Sequence, residues 1–596
     1  MSKSQPRLYE FGRFAVDTMN RLLVCDGEPV PLQPKALDLL ILLVENRKQV
    51  VRKEELIRRL WPDSFVDKAN LTQNIYLLRK VLGSAENGDD DYIKTIPKRG
   101  YRFVPEVKEV FGDLEESLTP ESTLETANPV PGHREDPSRV IDSLAILPLI
   151  NAGKDPNYEY LADGITESII NSLSQLSSLN VIARSIAFRH KGSVVDPQSI
   201  GRQLNVSAVL TGHVLQRDNR IVIQVELVDV HGGWQLWGAQ FKRSFEDLLA
   251  IQEEISQEIS AALRLKLTKE ERKSLAKRYT DNTEAYRLYI KGRYYWNKRL
   301  TNALTDAISW FQRAVDQDPT YAMAFVGLAD CYALLSLYGA LTPKEAFPKS
   351  RAAAMKALDL DEGLAEAHTS LGVVKLFYEW NWTDAEACFT KAIELNPDYP
   401  DAHQRYGILL TVLRRFDEAI NQLQAAQTLD PLSLITNTVA GYPYYYARRF
   451  DEAIESFRSA SQMDPNFSMA HFRLGLAYEQ KGMFDDALKE LQASLQISGD
   501  RDVVAALGHV NALMGNKTEA FAALEELTNL SKRRYVPAYD LAILYGALGS
   551  IDEALNWLER ASAERSYWLI YASVDPRLDP LRPDPRFAGI LARVGL

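Results

Sequence analysis

The chain has 596 residues, of which 46% are hydrophobic and 25% are charged, values usual for a globular protein. This length exceeds what a single hydrophobic core supports and predicts three or four domains. The formal net charge of −11 excludes a uniformly basic nucleic-acid-binding protein. Residues 1–106 nevertheless hold 18 Lys and Arg against 15 Asp and Glu, a net +3, and leave −14 to the remainder. Any binding to nucleic acid must therefore depend on a local basic surface near the N-terminus.

The cysteines and the hydropathy pattern predict the compartment. Cys25, Cys331 and Cys388 stand alone, without the CxxC spacing of zinc sites or the density of a disulfide framework. The first residues lack the apolar core of a signal peptide, and no run of about 18 apolar residues occurs in the chain. We therefore predict a cytoplasmic protein that does not associate with a membrane.

Residues 8–104 contain an ordered succession of predicted elements. Short β-runs come first, followed by helices over 35–45 and 53–61, a third helix over 69–83 and a basic hairpin. Spacings of three and four predict the buried faces of the first two helices: Leu37, Leu40, Ile41 and Val44, then Leu56, Ile57, Leu60 and Trp61. For Trp61 this position favours packing in a core over stacking on a base.

The third helix, called the reading helix from here on, has two faces of different chemistry. Its apolar residues form one stripe that faces a core: Leu71, Ile75, Leu78 and Leu82. The opposite face carries polar and basic side chains that can reach phosphates or base edges, and such a helix fits the major groove. The hairpin has adjacent cations at its tip, which suits the minor groove or the DNA backbone. The alternative is a solvated helix followed by an ordinary charged hairpin.

Three segments of this region match a known family: LQPKALDLLILLVENRKQVVRKEELIRRLWP, LRKVLG and IKTIPKRGYRFV. They resemble the winged-helix DNA-binding domain of OmpR/PhoB-type bacterial transcriptional regulators. The resemblance implies that the reading helix and the hairpin, or wing, contact double-stranded DNA. The residues at the matching contact positions are Asn70, Thr72, Gln73, Tyr76, Arg79, Lys80, Lys98 and Arg99. Because many relatives carry arginine or histidine where this chain has Asn74, Tyr76 and Leu77, no base preference is implied.

Residues 108–139 are acidic and rich in proline, with Pro120, Pro129, Pro131 and Pro137. Such a composition cannot bury enough apolar surface to fold and predicts a flexible linker. In relatives of the CadC/ToxR group a membrane-spanning helix follows the DNA-binding domain. The polar character of this stretch predicts no such anchor here.

Residues 140–268 show an α/β pattern. The apolar run SLAILPL suits a buried strand, residues 158–176 have helical periodicity, and NVIAR and a short helix at 197–204 follow. Two alternating strands then flank a turn at Asp218 and Asn219, and a helix over 245–267 closes the segment. The segment resembles the amino-terminal domain of TolB-like proteins.

Acidic residues at the start of the first helix of this segment, Asp163 and Glu167, suggest either an anion or metal site or a capping role, and capping is the favoured interpretation. The segment lacks the GxxxxGK[ST] and GxGxxG phosphate-binding patterns. No nucleophile, base and orienting group can be linked from the sequence. We therefore predict that the chain is not an enzyme and needs no cofactor, with a small ligand or a protein contact left open for this segment.

From about residue 285 the chain repeats itself with a period of 34. Pro397, Pro431 and Pro465 are 34 residues apart, as are Gly407, Gly441 and Gly475. This is the tetratricopeptide pattern, in which small residues lie where two helices approach closely. About eight repeats are predicted within residues 269–596.

Two groups of side chains in the repeats raise the question of function. His368, His403 and His471 occupy nearly the same repeat position, so a solenoid separates them too far to share a metal ion, and a structural role is predicted. In the cluster Tyr442, Tyr444, Tyr445 and Tyr446, we expect Tyr444 to pack in the core. The neighbouring rings are candidates to line a concave groove and contact a peptide.

The predicted fold class is multidomain α+β: a winged helix-turn-helix in 1–107, a linker in 108–139, a TolB-like α/β domain in 140–268 and an all-α repeat solenoid in 269–596. The predicted function is a sequence-specific regulator of transcription whose other modules sense a signal or bind a protein. Its predicted partners are promoter DNA, a protein or peptide in the repeat groove, and a second copy of the chain.

Two alternatives remain at this point. In the first, the repeats act as a scaffold and the winged helix has lost DNA binding; charge reversal at Arg79, Lys98 and Arg99 would then leave promoter occupancy unchanged. In the second, the middle segment is a small-ligand sensor, and nucleotides or sugars would raise its thermal stability.

Overall fold

The structure is a computed structural model with two compact units, residues 1–135 and 136–596. It describes residues 8–17, 22–25, 28–30, 34–47, 49–60, 71, 74–75, 78–79, 81–82, 92–96, 99–110, 141–176, 178–192, 196–217, 220–263, 267–268 and 279–596.

The described strands of the first unit form two antiparallel sheets. Its strands are β1 Leu8–Phe11, β2 Phe14–Asp17, β3 Leu22–Cys25, β4 Glu28–Val30, β5 Val51–Arg52, β6 Ile93–Ile96, β7 Gly100–Phe103 and β8 Lys108–Val110. The larger sheet has the order β4-β3-β2-β1-β8 and the smaller one β5-β7-β6. Strand β8 pairs with β1 through Leu8 and Val110, so ordered structure continues into the stretch predicted as a linker. The linker prediction for residues 111–139 lies outside the described residues.

Helices cover the smaller sheet and share one hydrophobic core with it. Two of them span Pro34–Glu45 and Lys53–Leu60, close to the predicted limits. Between 71 and 82 every described residue is helical, and the predicted stripe is buried: Leu71, Ile75, Leu78 and Leu82. Leu39 and Leu43 are buried as well, while Ile41 is only partly buried, so the first helix buries a wider face than its spacing indicated. Trp61 and the side chain of Ile57 lie outside the described residues.

The second unit begins with a mixed sheet of order β11-β9-β12-β13-β14, with β10 paired to β12. Its strands are β9 Ser143–Ile146, β10 Ile150–Asn151, β11 Asn180–Val181, β12 Ala208–Arg217, β13 Arg220–Asp229 and β14 Gln235–Ser244. Its helices are Glu159–Leu173, Arg184–Ala187, Pro197–Gln203 and Leu248–Ala262. The predicted α/β pattern is confirmed. Strand β14 was not predicted because QLWGAQFKRS mixes exposed residues on both faces, as an edge strand with one neighbour allows.

Eight helix pairs follow between Thr283 and Glu564. The first helices of the pairs are Thr283–Trp296, Ala322–Leu337, Ala365–Val374, Pro400–Val412, Leu434–Val439 continued by Tyr442–Tyr446, Ser468–Gln480, Arg501–Leu513 and Ala538–Ala547. The second helices are Thr301–Gln317, Pro343–Leu360, Trp382–Leu395, Phe416–Leu429, Phe450–Met463, Phe484–Ser498, Lys517–Ser531 and Ile551–Glu564. Two 3-10 turns, Tyr567–Tyr571 and Pro576–Leu581, and a last helix, Pro585–Val594, complete the chain.

Glycine recurs every 34 residues because the two helices of each pair approach closely at the same point of the repeat. A Cβ atom on Gly407 would lie 2.6 Å from Leu423 Cγ, and one on Gly441 would lie 2.3 Å from a ring carbon of Phe457. Because neither distance leaves room for a methyl group, glycine is required where the first helix crosses the second.

The mixed sheet and the first repeats share one hydrophobic core. Sheet residues such as Leu210 and repeat residues such as Phe311 belong to the same buried cluster. The helix Glu159–Leu173 approaches the first repeat so closely that a Cβ on Gly164 would lie 2.7 Å from Ile290 Cβ. The two predicted domains of this unit are therefore packed as one body.

Candidate nucleic-acid interface

Arg79 ties the reading helix to the wing. Its Nε and Nη2 atoms donate to the carbonyl oxygen of Ile93 at 3.1 and 2.8 Å, and Nη2 also donates to Thr95 Oγ1 at 2.8 Å. Because Ile93 and Thr95 lie on β6, this fork fixes the hairpin against the helix. The geometry gives Arg79 a positioning role, and DNA contact by its guanidinium stays a prediction.

The wing is the antiparallel pair of β6 and β7, and its base is held by β5. Gly100 has φ +154° and sits so close to β5 that a Cβ would lie 1.9 Å from Val51 O. Only glycine fits at this point of the hairpin. Tyr101 and Phe103 are buried and pack in the core of this unit.

The outer face of the wing is basic. Lys94 lies directly opposite Arg102 in the β6–β7 register, and both side chains are exposed. Arg99, at the hairpin turn, is exposed as well. Exposed cations on one face of the wing attract a polyanion. The sequence prediction missed Lys94 and Arg102. The alternation of buried Ile93 and Phe103 with these cations would have revealed them.

The structure describes two of the eight predicted DNA contacts, Arg79 and Arg99. The other six lie outside the described residues: Asn70, Thr72, Gln73, Tyr76, Lys80 and Lys98. The geometry thus brings the end of the reading helix and the wing together, and it adds Lys94 and Arg102 to the basic surface.

In the second unit, Glu167 does not cap a helix. The helix begins at Glu159, and Glu167 lies two turns further on, buried with only 6% of its surface exposed. Its carboxylate accepts hydrogen bonds from Arg184 Nε at 2.9 Å, Arg293 Nη2 at 2.7 Å and Asn297 Nδ2 at 2.8 Å. Burial favours the neutral acid, but the two guanidinium groups hold the pKa of Glu167 down to about 2. The capping interpretation is wrong, and Glu167 instead joins the mixed sheet region to the first repeat.

Asp163 does not cap the helix either, because it forms an ion pair with Lys191. Lys191 Nζ lies 2.6 Å from Asp163 Oδ1 and 2.7 Å from Glu159 Oε1. Burial raises the pKa of Asp163 despite the nearby ammonium. Among the residues that the structure describes, no three His, Cys, Asp or Glu side chains are grouped as metal ligands. In the same part of the chain, no helix is long and apolar enough to span a bilayer.

The periodic histidines bind the turns between repeats. His368, His403 and His471 each place Nε2 within 2.9 to 3.0 Å of a carbonyl oxygen six residues earlier, on Glu362, Pro397 and Pro465. These hydrogen bonds join each first helix to the turn that precedes it. This shared contact explains the spacing of the histidines by repeat geometry alone.

The tyrosine cluster is arranged differently from the prediction. Tyr442, Tyr445 and Tyr446 are buried, whereas Tyr444, expected in the core, is partly exposed beside Arg449, whose guanidinium lies 4.8 Å from its ring. Tyr444 still packs against the hydrophobic core of the repeats, as predicted, while its neighbours are buried and do not line an open groove.

Residues 566–582, called the carboxy-terminal segment from here on, cover the face of the solenoid that the first helices line. Tyr571 stacks on Tyr446 with ring centroids 4.7 Å apart, and Arg414 Nη2 donates to Ser573 O at 2.6 Å. Leu578 and Leu581 are fully buried. This face is the concave, ligand-binding side of such solenoids. The sequence prediction missed this occupant because the segment follows neither the period of 34 nor a helical pattern.

Family models match three parts of the chain. Residues 27–103 match "Transcriptional regulatory protein, C terminal". Residues 140–259 match "HilA/YgeH-like transcriptional regulator, second domain", so the resemblance to TolB-like proteins is not confirmed for this segment. Residues 376–433 and 439–502 match "Tetratricopeptide repeat".

Individual relatives cover different shares of the chain. Transcriptional regulator HilA of Salmonella typhimurium is 24% identical over 432 residues, 72% of each chain. Putative adenylate cyclase 3 of Rhizobium meliloti is 32% identical over 286 residues, 46% of this chain and 41% of that protein, so the chain spans less than half of its length. The solved DNA-binding domain of Escherichia coli CadC is 30% identical, covers 18% of this chain and 99% of that domain, and has a TM-score of 0.16, too low for a comparison of folds. The chain therefore combines the DNA-binding domain of OmpR/PhoB-type transcriptional regulators with a HilA/YgeH-like second domain and tetratricopeptide repeats.

Proposed function

We propose that this chain is a sequence-specific transcriptional regulator whose first unit binds promoter DNA and whose repeats bind a protein. The observation that carries the proposal is the fork from Arg79 to Ile93 and Thr95, which sets the basic wing beside the reading helix. A helix and a wing held in a fixed relation can enter adjacent grooves of one duplex. The matches to regulator families support the same reading.

The eight contacts implied by the family resemblance remain the proposed DNA-binding set. We add Lys94 and Arg102 as contacts to backbone phosphates, because both are exposed and lie opposite each other on the wing. Phosphate contacts orient the protein and set the salt dependence of binding, while the reading helix supplies base contacts. A single winged helix makes few contacts, so we propose that two copies of the chain bind together at paired half-sites.

The proposed domain limits are 1–107, 108–139, 140–268 and 269–596, with strand β8 extending the first domain to Val110. Within the last of these, a partner protein that binds where Tyr446 and Arg414 contact the carboxy-terminal segment must displace that segment. A partner that binds without displacing the segment must use another surface of the repeats. The matched families are regulator and repeat families, which supports a binding protein and not an enzyme. The buried thiols of Cys331 and Cys388, which form no disulfide, support the reducing cytoplasm as its location.

The test compares charge reversals on the wing and elsewhere. The double variant Arg99→Glu with Arg102→Glu should lose most of its affinity for promoter fragments in the full chain. Arg220→Glu, an equally exposed arginine at the start of β13, is the matched control and should bind normally. Equal binding by the wing variant and the wild type would reject the proposal and favour the scaffold alternative.

A further inference from the structure

Arg473 is a buried cation without a protein anion. It lies on the repeat helix Ser468–Gln480, and only 3% of its surface is exposed. Its guanidinium carbon lies 4.2 Å from the ring centroid of Tyr442 and 5.0 Å from that of Trp568. Its Nε is buried without a hydrogen-bond partner, and no ion pair joins it to any residue that the structure describes. Arg473 is therefore enclosed by aromatic rings and not by carboxylates.

Two other arginines at the carboxy-terminal segment have carboxylate partners. Arg577 Nη2 lies 2.7 Å from Asp575 Oδ2, and Arg448 Nη1 lies 2.7 Å from Asp579 Oδ2. The carboxy-terminal segment thus supplies an anion to each of these cations but none to Arg473. Burial acts against the charge of Arg473, yet the neighbouring tyrosine hydroxyls raise its pKa, so it stays ionised.

Hydrogen-bond donors are in excess around this guanidinium. Trp568 Nε1, whose ring lies 5.0 Å from the guanidinium carbon, is also buried without an acceptor. The rings form one contiguous cluster, since Tyr571 stacks on Tyr446 at 4.7 Å and lies 5.9 Å from Trp568. A cluster with two unsatisfied donors, one of them charged, favours a ligand that brings acceptor atoms.

Cation–π contact does not replace an anion at this site. Contact with aromatic faces recovers only a fraction of the free energy that removal of a guanidinium from water costs. An arginine cannot lower this cost by losing its proton. A bound monoanion would neutralise the single unpaired charge and accept its hydrogen bonds.

We propose that Arg473 and the ring cluster around it bind a small organic carboxylate. The planar guanidinium matches a carboxylate in a bidentate arrangement, and the rings of Tyr442 and Trp568 provide apolar surface for a short hydrocarbon group. One unpaired cation suits a monoanion better than a phosphate dianion. The site lies between the repeats and the carboxy-terminal segment, so the ligand strengthens the contact between them. That this ligand is the input signal of the regulator rests on the proposed function.

The experiment measures the Tm of the full chain in sodium acetate and in sodium chloride at equal ionic strength. Acetate should give a saturable rise in Tm over chloride, because a ligand that binds only the folded state stabilises it by mass action. Inorganic phosphate at the same ionic strength should give no such rise. Equal Tm values in acetate and chloride would overturn the proposal, and a rise with phosphate alone would overturn the carboxylate assignment.

The variant Arg473→Met tests the residue. It should lose the acetate response and keep or raise its Tm in chloride, because an apolar side chain of similar length replaces an unpaired buried charge. The control Arg458→Met, at an exposed arginine of helix Phe450–Met463, should keep the response. An unchanged acetate response in Arg473→Met, or a Tm lowered in chloride, would contradict the site. These measurements contain no DNA, so their failure leaves the proposed DNA binding untouched, and loss of DNA binding leaves them unaffected.

Discussion

The two units use arginine in opposite ways. In the first unit Arg99 and Arg102 are exposed on the wing, where their charge acts on distant anions and is screened by salt. In the second unit Arg293 is half-buried and Arg473 is buried, and a charge withdrawn from water needs a fixed partner. The net charge of the first unit therefore indicates whether it attracts a polyanion. In the second unit the role of each cation depends on the side chains that surround it.

Arg293 and Arg473 differ in the groups that surround their guanidinium groups. Arg293 meets Glu167 in a forked contact with Nε and Nη2 at 2.9 and 2.7 Å, which fixes the mixed sheet to the first repeat. Arg473 has rings around it and no carboxylate. The first arrangement is structural, and the second is suited to a ligand.

The largest effect is expected where the paired cations lose their anion. Glu167→Ala leaves Arg184 and Arg293 without the carboxylate that they share, and should destabilise the second unit by about 3–5 kcal/mol. Urea unfolding followed by tryptophan fluorescence measures this loss. The control Glu519→Ala, at an exposed glutamate on the helix Lys517–Ser531, should leave the midpoint unchanged. A midpoint for Glu167→Ala equal to that of the wild type would show that the contact does not hold the unit together.

The same carboxylate should give the second unit part of its acid sensitivity. Because the pKa of Glu167 falls from 4.5 to about 2 on folding, its contribution is complete above pH 4.5. This contribution is lost as the pH falls from 4.5 towards 2, and it amounts to about 3 kcal/mol. Thermal unfolding of Glu167→Gln between pH 6 and pH 3 should show a shallower fall in Tm than the wild type. Parallel profiles for the two proteins would contradict this assignment.

A smaller effect is expected at the junction between reading helix and wing. Arg79→Met removes the hydrogen bonds to Ile93 O and Thr95 Oγ1, at a cost of about 1–3 kcal/mol to the stability of the wing. Amide hydrogen exchange over β6 should become faster, and DNA affinity should fall with it. Arg58→Met, at an exposed arginine of helix Lys53–Leu60, should change neither. Lost affinity with unchanged exchange would assign Arg79 to DNA contact alone.

The smallest effect is expected from single exposed cations. Arg99→Ala and Arg102→Ala should each weaken DNA binding by about tenfold at low salt and reduce the slope of log K against log salt by about 0.9. The loss should be similar for all DNA sequences, because phosphate contacts carry no base information. Titrations at several salt concentrations measure the slope, with Arg220→Ala as the control. An unchanged slope would remove these residues from the interface.

The parts of the fold that repeat or alternate were open to prediction. The stripe of Leu71, Ile75 and Leu78 and the glycines 34 residues apart follow from the geometry of a helix and of a helix pair, and both are found as expected. Period and spacing are local properties, so sequence reasoning reaches them.

The contacts that distinguish this chain are long-range and were missed. Glu167 and Arg293 are 126 residues apart, and Tyr446 and Tyr571 are 125 apart in a segment without periodicity. Pairing across such distances depends on how the solenoid curves, which no local pattern encodes. Arg79 was predicted as a DNA contact from its side-chain chemistry and its place on the helix. Its hydrogen bonds to β6 depend on how the hairpin packs against that helix, which the sequence pattern does not show.

Selection from genomic fragments shows whether the first unit recognises particular DNA sequences. The full chain would be incubated with a library of genomic fragments at two salt concentrations, and the bound fragments sequenced. If the first unit binds a specific sequence, a small set of fragments that share a motif should be enriched. Their affinity should fall as the salt concentration rises. Retention of fragments without any shared motif, or no retention at low salt, would contradict sequence-specific binding by the first unit.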